Sequence, residues 1–477
     1  MKHEPEEQIL ARVGDRTISV NEFIKRAEYT IRPNYVKLDY YINKKIILNS
    51  LIAEKLFALE EENQSQLMQN ERFQAFIKGR MEQTMRNFMY QSEAKDKVHI
   101  SDEELKQMYK LAGRKYKIHY FSVSDSSDVN EVTKKLNEKP LSFDNLYREL
   151  TGTSEVPQKE IAWDSKENTR IMEALFSGEL KKDQVLSPVR LEDGHYLFIK
   201  INGWTDSQIL NDEGIKQRLK DVREKLIRDK ADLIWAQQVA AVMRGKEIVF
   251  YEDTFFKLVD LMGPQYYRTR DQMDEALNQK LWADKDYQLT IQSLGDPNIV
   301  NEPFFTIDGK IWTVKDFRDL LFSHPLVFRK KEFPQTEFAD QFKLAVVDMV
   351  RDHYMNKEAY KNGYDKANIV QREKYLWQDA YVAKEHRLKY LKAKDEKRNF
   401  AKDYLSIMDD YMNDYVNHLQ QKYANQIEID TDLFDSIHLT RIDLHAKYIN
   451  LPYASIIPDF PIYTSDHHLN YGRKMEK

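Results

Sequence analysis

The chain contains no cysteine, so thiol nucleophiles, thiolate zinc sites and disulfides are all excluded. Glycine and proline are scarce, 14 and 13 of 477 residues, which argues against a turn-dense β protein and for long helices. No apolar run reaches the roughly 18 residues that a spanning helix needs. Neither sign of charge dominates. Lys and Arg number 73 against 78 Asp and Glu, a net −5, which gives no field to draw in nucleic acid. No glycine-rich phosphate loop and no nucleophile–base set stands out, and no cofactor is expected. No signal peptide is visible. The opening Met1-Lys2-His3-Glu4-Pro5-Glu6-Glu7 reads as a start added to an already processed mature sequence.

What is present is a long, highly charged chain with many rings. Its length suggests roughly two to four domains. Hydrophobic residues make up 42% and charged residues 32%, enough for a core under a well-solvated surface. Aromatics reach 12%, led by 28 tyrosines, which favours surfaces that grip other polypeptides. No metal site is expected. Asp430-Thr431-Asp432-Leu433-Phe434-Asp435 begins like a calcium loop but has Phe434 at its fifth position and no glycine at its sixth. His467-His468 has no further ligand at metal spacing.

One pattern occurs twice. Val13-Gly14-Asp15-Arg16-Thr17-Ile18-Ser19-Val20-Asn21-Glu22-Phe23 and Ile307-Asp308-Gly309-Lys310-Ile311-Trp312-Thr313-Val314-Lys315-Asp316-Phe317 each read as strand, tight turn, strand and helix start. Ser19 and Thr313 stand three residues before Glu22 and Asp316, the spacing of a capping box. A long helix follows each, with Leu48, Leu51, Ile52, Leu56 and Leu59 in one and Phe342, Val346, Met349, Val350 and Tyr354 in the other at helical spacing. Later, a helix over 208–244 leads to Ile248-Val249-Phe250, and a helix over 398–424 leads to Ile427-Glu428-Ile429. The order of parts predicts a duplicated module.

The first copy carries an insert at 115–203 that runs strand, helices, strand, a small α+β domain. Gly263-Pro264 and Gly295-Asp296-Pro297 mark the edges of a linker. The tail sets Pro452, Pro458 and Pro461 among Tyr453, Phe460, Tyr463 and Tyr471, and should be extended.

The leader motif, followed by an amphipathic helix ending in acidic residues, resembles the N-terminal module of the SurA, PpiD and PrsA group of chaperones. The insert resembles a parvulin-type peptidyl-prolyl isomerase domain, and Ser101-Asp102-Glu103-Glu104-Leu105-Lys106-Gln107-Met108-Tyr109 resembles the helix leading into it. The resemblance implies an α+β, predominantly helical protein. It has a helical module at 1–114, the parvulin-like domain at 115–203 and a returning helix at 204–262. A linker follows at 263–303, then a second module without insert at 304–440 and the tail at 441–477. It implies catalytic roles for His119 on the first strand and Tyr196 on the closing strand, where the family carries a second histidine. Phe121, Ile171, Met172, Phe176 and His195 would line the proline pocket. Several positions depart from the family pattern. Ile171 stands where an aromatic ring is usual, and Lys159-Glu160-Ile161-Ala162-Trp163 replaces a glycine-rich loop. The departures predict a weak or inactive isomerase.

Phe73, Phe76, Met81 and Met85 lie along a helix whose other face is polar, and they form a stripe suited to holding client chains. The implied function is an envelope, periplasmic chaperone for non-native secreted or outer-membrane polypeptides. Lipid attachment through an upstream cysteine is one arrangement. The alternatives are an active isomerase, or a dedicated subunit of an outer-membrane or secretion complex that docks through the tail.

Overall fold

The structure is a computed structural model. It describes residues 7–37, 40–61, 64–124, 126–138, 142–191, 194–207, 209, 211–267, 298–440, 444 and 446–475. Most of the expected linker therefore lies outside the described residues. The chain is predominantly helical α+β. In order it forms β1 (Ile9–Val13), β2 (Arg16–Ser19), α1 (Val20–Glu28), α2 (Tyr40–Glu61), α3 (Glu71–Glu93) and α4 (Asp102–Ala112). Next come β3 (Arg114–Val123), α5 (Ser126–Glu138), α6 (Phe143–Thr151), β4 (Gln158–Ala162), α7 (Thr169–Phe176), β5 (Val189–Arg190) and β6 (Tyr196–Asp206). Then follow α8 (Asp212–Met243), β7 (Val249–Phe250), α9 (Glu252–Tyr266), β8 (Pro303–Ile307), β9 (Lys310–Thr313), α10 (Val314–Ser323), α11 (Phe338–Lys361) and α12 (Asn368–Ala393). The last elements are α13 (Phe400–Ile407), α14 (Asn413–Lys422), β10 (Ile427–Ile429), α15 (Thr431–Ser436) and β11 (Arg473–Lys474). Among the described residues no helix is long and apolar enough to cross a membrane.

The chain divides into two compact units, one of residues 1–92 with 236–477 and one of residues 93–235. In the first, both repeated motifs fold as hairpins. Asp308 and Gly309 take φ of +52° and +69°, the paired left-handed conformation of a type I′ turn. The closing strands are exchanged, however. β10 pairs antiparallel with β1, Ala11 facing Ile429 and Val13 facing Ile427. β7 pairs antiparallel with β8, Val249 facing Thr306 and Phe250 facing Phe305. Each hairpin is completed by the late strand of the other copy. The order of the parts along the sequence does not reveal this exchange. Both closing strands are short and largely apolar, so either can fill either edge.

The cores follow the exchange. One joins Leu10, Ile18, Phe23, Leu51 and Ile52 to Met408, Met412, Leu419 and Ile427. The other joins Phe255, Leu258 and Met262 to Phe304, Phe317, Phe342 and Val346. Burying one such side chain contributes about 1.5–3 kcal/mol, so each core ties early and late sequence together. The caps differ as well. Thr313 and Asp316 form the full reciprocal box. Ser19 Oγ accepts from the Glu22 N–H, but the Glu22 carboxylate points inward to lie 3.4 Å from Lys55 Nζ.

The tail is non-helical and lies on its own chain, with Tyr453, Phe460 and Tyr463 buried. Its end, β11, runs parallel to β10.

The second unit holds a four-stranded sheet in the order β4-β3-β6-β5. β3 is central, antiparallel to β4 and β6. Along β3, Tyr116 and Ile118 face α7 while Phe121 faces α5 and α6, the alternation of a strand buried on both sides. Leu105 of α4 packs on Val222 and Leu226 of α8, which widens this unit beyond the expected 115–203.

Candidate functional site

Strand alternation decides what His119 can reach. It points to the same side as Phe121, toward α6. There its Nδ1–H donates to Asp144 Oδ1 at 2.9 Å. Lys200, directly opposite His119 on β6, donates from Nζ to Asp144 Oδ2 at 3.3 Å. Burial works against the Asp144 carboxylate, but the His119 hydrogen bond and the Lys200 ammonium hold its pKa below the usual value. An ionised carboxylate only accepts, which assigns the proton to Nδ1 of His119.

A cleft of about 530 Å³ opens beside this cluster, lined by Leu136, Phe143, Val185, Pro188, Phe198 and Lys200 among others. Thr133, Ser142, Asp183 and Ser187 also line it, so the cleft mixes apolar side chains with hydroxyls and a carboxylate. Asp144 and Lys200 are absent from the sequence-derived set. Lys200 could have been found from the strand period, since it stands two and four residues from Phe198 and Tyr196. Asp144 could not, because its place depends on how α6 packs on the sheet.

The sequence-derived residues do not converge. Tyr196 faces Val123, four residues along β6 from the Lys200 opposite His119, or roughly 13 Å away. It sits instead beside Arg190, whose guanidinium carbon lies 5.9 Å from its ring centroid. Ile171, Met172 and Phe176 are buried on the opposite face of the sheet, in the core of Tyr116, Ile118 and Ile199. Phe176 packs edge-on against Tyr116 and Trp163 at 5.2 and 5.4 Å. Phe121 is buried and stacked on Phe198 at 5.2 Å. His195 is exposed, and its carbonyl accepts from the Leu191 N–H.

The stripe on α3 is also not an open surface. Phe73, Phe76 and Met85 are buried and Met81 is half-buried. Phe73 and Phe76 pack with Trp377 and Tyr381 of α12 and with Tyr453 of the tail. A stripe at helical spacing reads the same whether it meets a client or a neighbouring helix, and here it meets a helix. In the tail, Asp466 joins His467 and His468, with ligand-type atoms within 4.8 Å of one another. His468 donates from Nδ1 to Asp466 at 2.8 Å.

No family model matches the chain. The chain is 27% identical over 171 residues to the foldase protein PrsA of Bacillus subtilis (strain 168). That stretch is 35% of this chain, and the chain spans 56% of the relative's length. Among solved structures, the peptidylprolyl isomerase PrsA of Bacillus cereus is 18% identical, with 47% of this chain and 86% of that one covered and a TM-score of 0.21. PrsA of Bacillus subtilis is 19% identical, with 49% and 93% covered and a TM-score of 0.17.

Proposed function

We propose that this protein is a chaperone of the SurA, PpiD and PrsA kind. It holds non-native polypeptides in the cell envelope, with secreted or outer-membrane chains as its clients, and its parvulin-like unit isomerises proline weakly or not at all. The observation that carries the chaperone reading is the 171-residue similarity to a foldase. The four-stranded sheet flanked by helices within residues 93–235 accords with it.

The weak-isomerase reading rests on the site. Rotation about an X–Pro bond must cross roughly 18–20 kcal/mol. Lowering that barrier takes a shaped apolar pocket and polar groups aimed together at the twisted amide. His119 and Tyr196 are spread along the sheet, and Ile171, Met172 and Phe176 lie behind it. The ammonium that does reach the cleft, that of Lys200, is held by Asp144.

Two assays test the parts separately. Equimolar protein should suppress the clumping of an unfolded β-rich client, and failure to do so defeats the chaperone reading. In a protease-coupled assay on an X–Pro peptide the rate should match buffer alone. An acceleration of about a hundredfold, the scale of positioned acid–base groups, would show a working site.

A further inference from the structure

The tail is gripped largely by its backbone. Gln83 of α3 brackets Tyr453, its Nε2 donating to the Tyr453 carbonyl and its Oε1 accepting from the Tyr453 N–H, both at 2.9 Å. Arg80 donates to the carbonyl of Ser455 at 2.7 Å, and Arg26 to that of Asp459 at 2.8 Å. None of these bonds reads a tail side chain.

Among residues 451–455, the Tyr453 side chain fills a socket of its own. The Tyr453 ring meets Phe76 edge-on at 5.5 Å, with the Arg80 guanidinium 4.6 Å from its centroid. Its hydroxyl donates to the Ser323 carbonyl at 3.0 Å. Gly79 makes room for that hydroxyl. A Cβ there would fall 2.3 Å from the Tyr453 oxygen and 1.9 Å from the Ser323 oxygen. A glycine inside a long helix is otherwise unfavourable, and the close approach of the Ser323 backbone together with the Tyr453 hydroxyl accounts for it. Beside the tail a cavity of about 350 Å³ remains, lined by Glu22, Asn87 and Glu373 on one side and Tyr448, Ile456 and Ile457 on the other.

We infer that this groove, floored by α3 and α12, is a binding site for a short client segment bearing an aromatic residue, and that residues 450–458 are its built-in occupant. The inference rests on the chaperone reading above and adds where the client sits and what competes with it. Bonds to main-chain atoms are indifferent to sequence, as a site for varied clients requires. The occupant, Leu451-Pro452-Tyr453-Ala454-Ser455-Ile456-Ile457-Pro458, folds back through Asn450, at φ +59°, so that the Tyr448 N–H donates to the Ala454 carbonyl at 2.7 Å. Because it is tethered, it competes at an effective concentration near the millimolar range and admits only clients that outbid it.

The test uses the full chain and a fluorescein-labelled peptide copying residues 451–458. Tyr453→Ala should loosen the occupant and tighten peptide binding by about tenfold in fluorescence anisotropy, within the reach of a tethered competitor. Adding Gln83→Ala should remove that gain by deleting the two bonds that bracket the tyrosine's main chain. An unchanged peptide affinity in a Tyr453→Ala protein with a native melting curve overturns the inference.

The native chain gives a second measure that does not depend on a variant folding. Saturating reduced, carboxymethylated α-lactalbumin should speed hydrogen exchange across residues 451–457, where the Tyr453 amide is bonded to Gln83. If the client is held and that exchange is unchanged, the groove is wrong and the chaperone reading stands. If the client is not held at all, the chaperone reading fails, and the peptide titration still decides the groove.

Discussion

The two hairpins share a sequence pattern but rest on opposite chemistries. Around β1 and β2 the buried interior is threaded with charge. Arg26 and Glu54 are 0% and 1% exposed and bonded in parallel at 2.9 and 2.6 Å. Lys55 lies 3.4 Å from Glu22 and 3.2 Å from Asp379, which Arg16 also reaches at 3.2 Å. Burial works against the Lys55 ammonium, yet Glu22 and Asp379 push its pKa up to about 12, while burial pushes both of those carboxyls up. Around β8 and β9 the interior is aromatic, with Phe304, Phe305, Phe317, Phe338 and Phe342 in ring contact. Asp379 belongs to α12, so the charged core is matched to a partner from the far half of the chain. Rings pack with many partners, whereas a buried charge tolerates only its counter-charge.

The sharpest way to break this comparison is Glu54→Ala. It leaves Arg26 buried without its carboxylate and should cost about 3–5 kcal/mol in a urea titration. Replacing the pair together, Arg26→Met with Glu54→Leu, should restore most of that loss, because no charge is then stranded. A single-variant cost below about 1 kcal/mol would mean that the charged core is no more exacting than the aromatic one.

Acid should separate the two regions next. His353 of α11 packs edge-on against Trp312 at 5.2 Å. Burial, with Lys357, Lys78, Lys310 and His324 adding to it, lowers its pKa to about 4. A folded pKa below the unfolded one means that the unfolded chain takes up the proton first. The contribution is therefore whole above about pH 6.5 and drains away as pH falls toward 4. After discounting for partial exposure, about 1–2 kcal/mol should be lost across that window. His353→Gln should flatten the dependence, read as hydrogen exchange in α11 at pH 7 and pH 4.5. Equal slopes in the native and variant proteins would remove His353 as the cause.

Much of the local structure was legible in the sequence because its causes are local. Gly14-Asp15 and Asp308-Gly309 announce the hairpin turns, and the apolar spacings of α2 and α11 announce the long helices. The tail's prolines announce a non-helical path, but not the turn that brings Lys447 against Ser455. The exchange of β7 and β10 was not legible. The pairing of Ala11 with Ile429 spans most of the chain, and nothing in Ile248-Val249-Phe250 or Ile427-Glu428-Ile429 names its partner. The candidate site failed for a different reason. Family position named His119, Tyr196 and Ile171 together, while the two-residue period of β3 already placed Ile118 and His119 on opposite faces. Gln83 and Gly79 gave no signal at all. A glutamine that grips a backbone looks like any polar residue on a helix until the tail is in place.

The smallest expected difference lies in the caps. Thr313 accepts from the Asp316 N–H at 3.2 Å, and Asp316 returns the bond by accepting from the Thr313 N–H at 2.9 Å. Ser19 makes the first bond at 3.0 Å, but the Glu22 carboxylate is engaged with Lys55. Thr313→Ala should therefore cost about 1 kcal/mol, since the hydroxyl also holds Asp316 in place. Ser19→Ala removes a single-sided cap together with the hydroxyl's bond to Glu7 at 2.5 Å, and should cost about 0.7 kcal/mol. Each is readable as a shift in denaturation midpoint at constant slope. If the two losses came out equal, the inward turn of Glu22 would carry no penalty at the helix start, and its place in the charged core would come at no local cost.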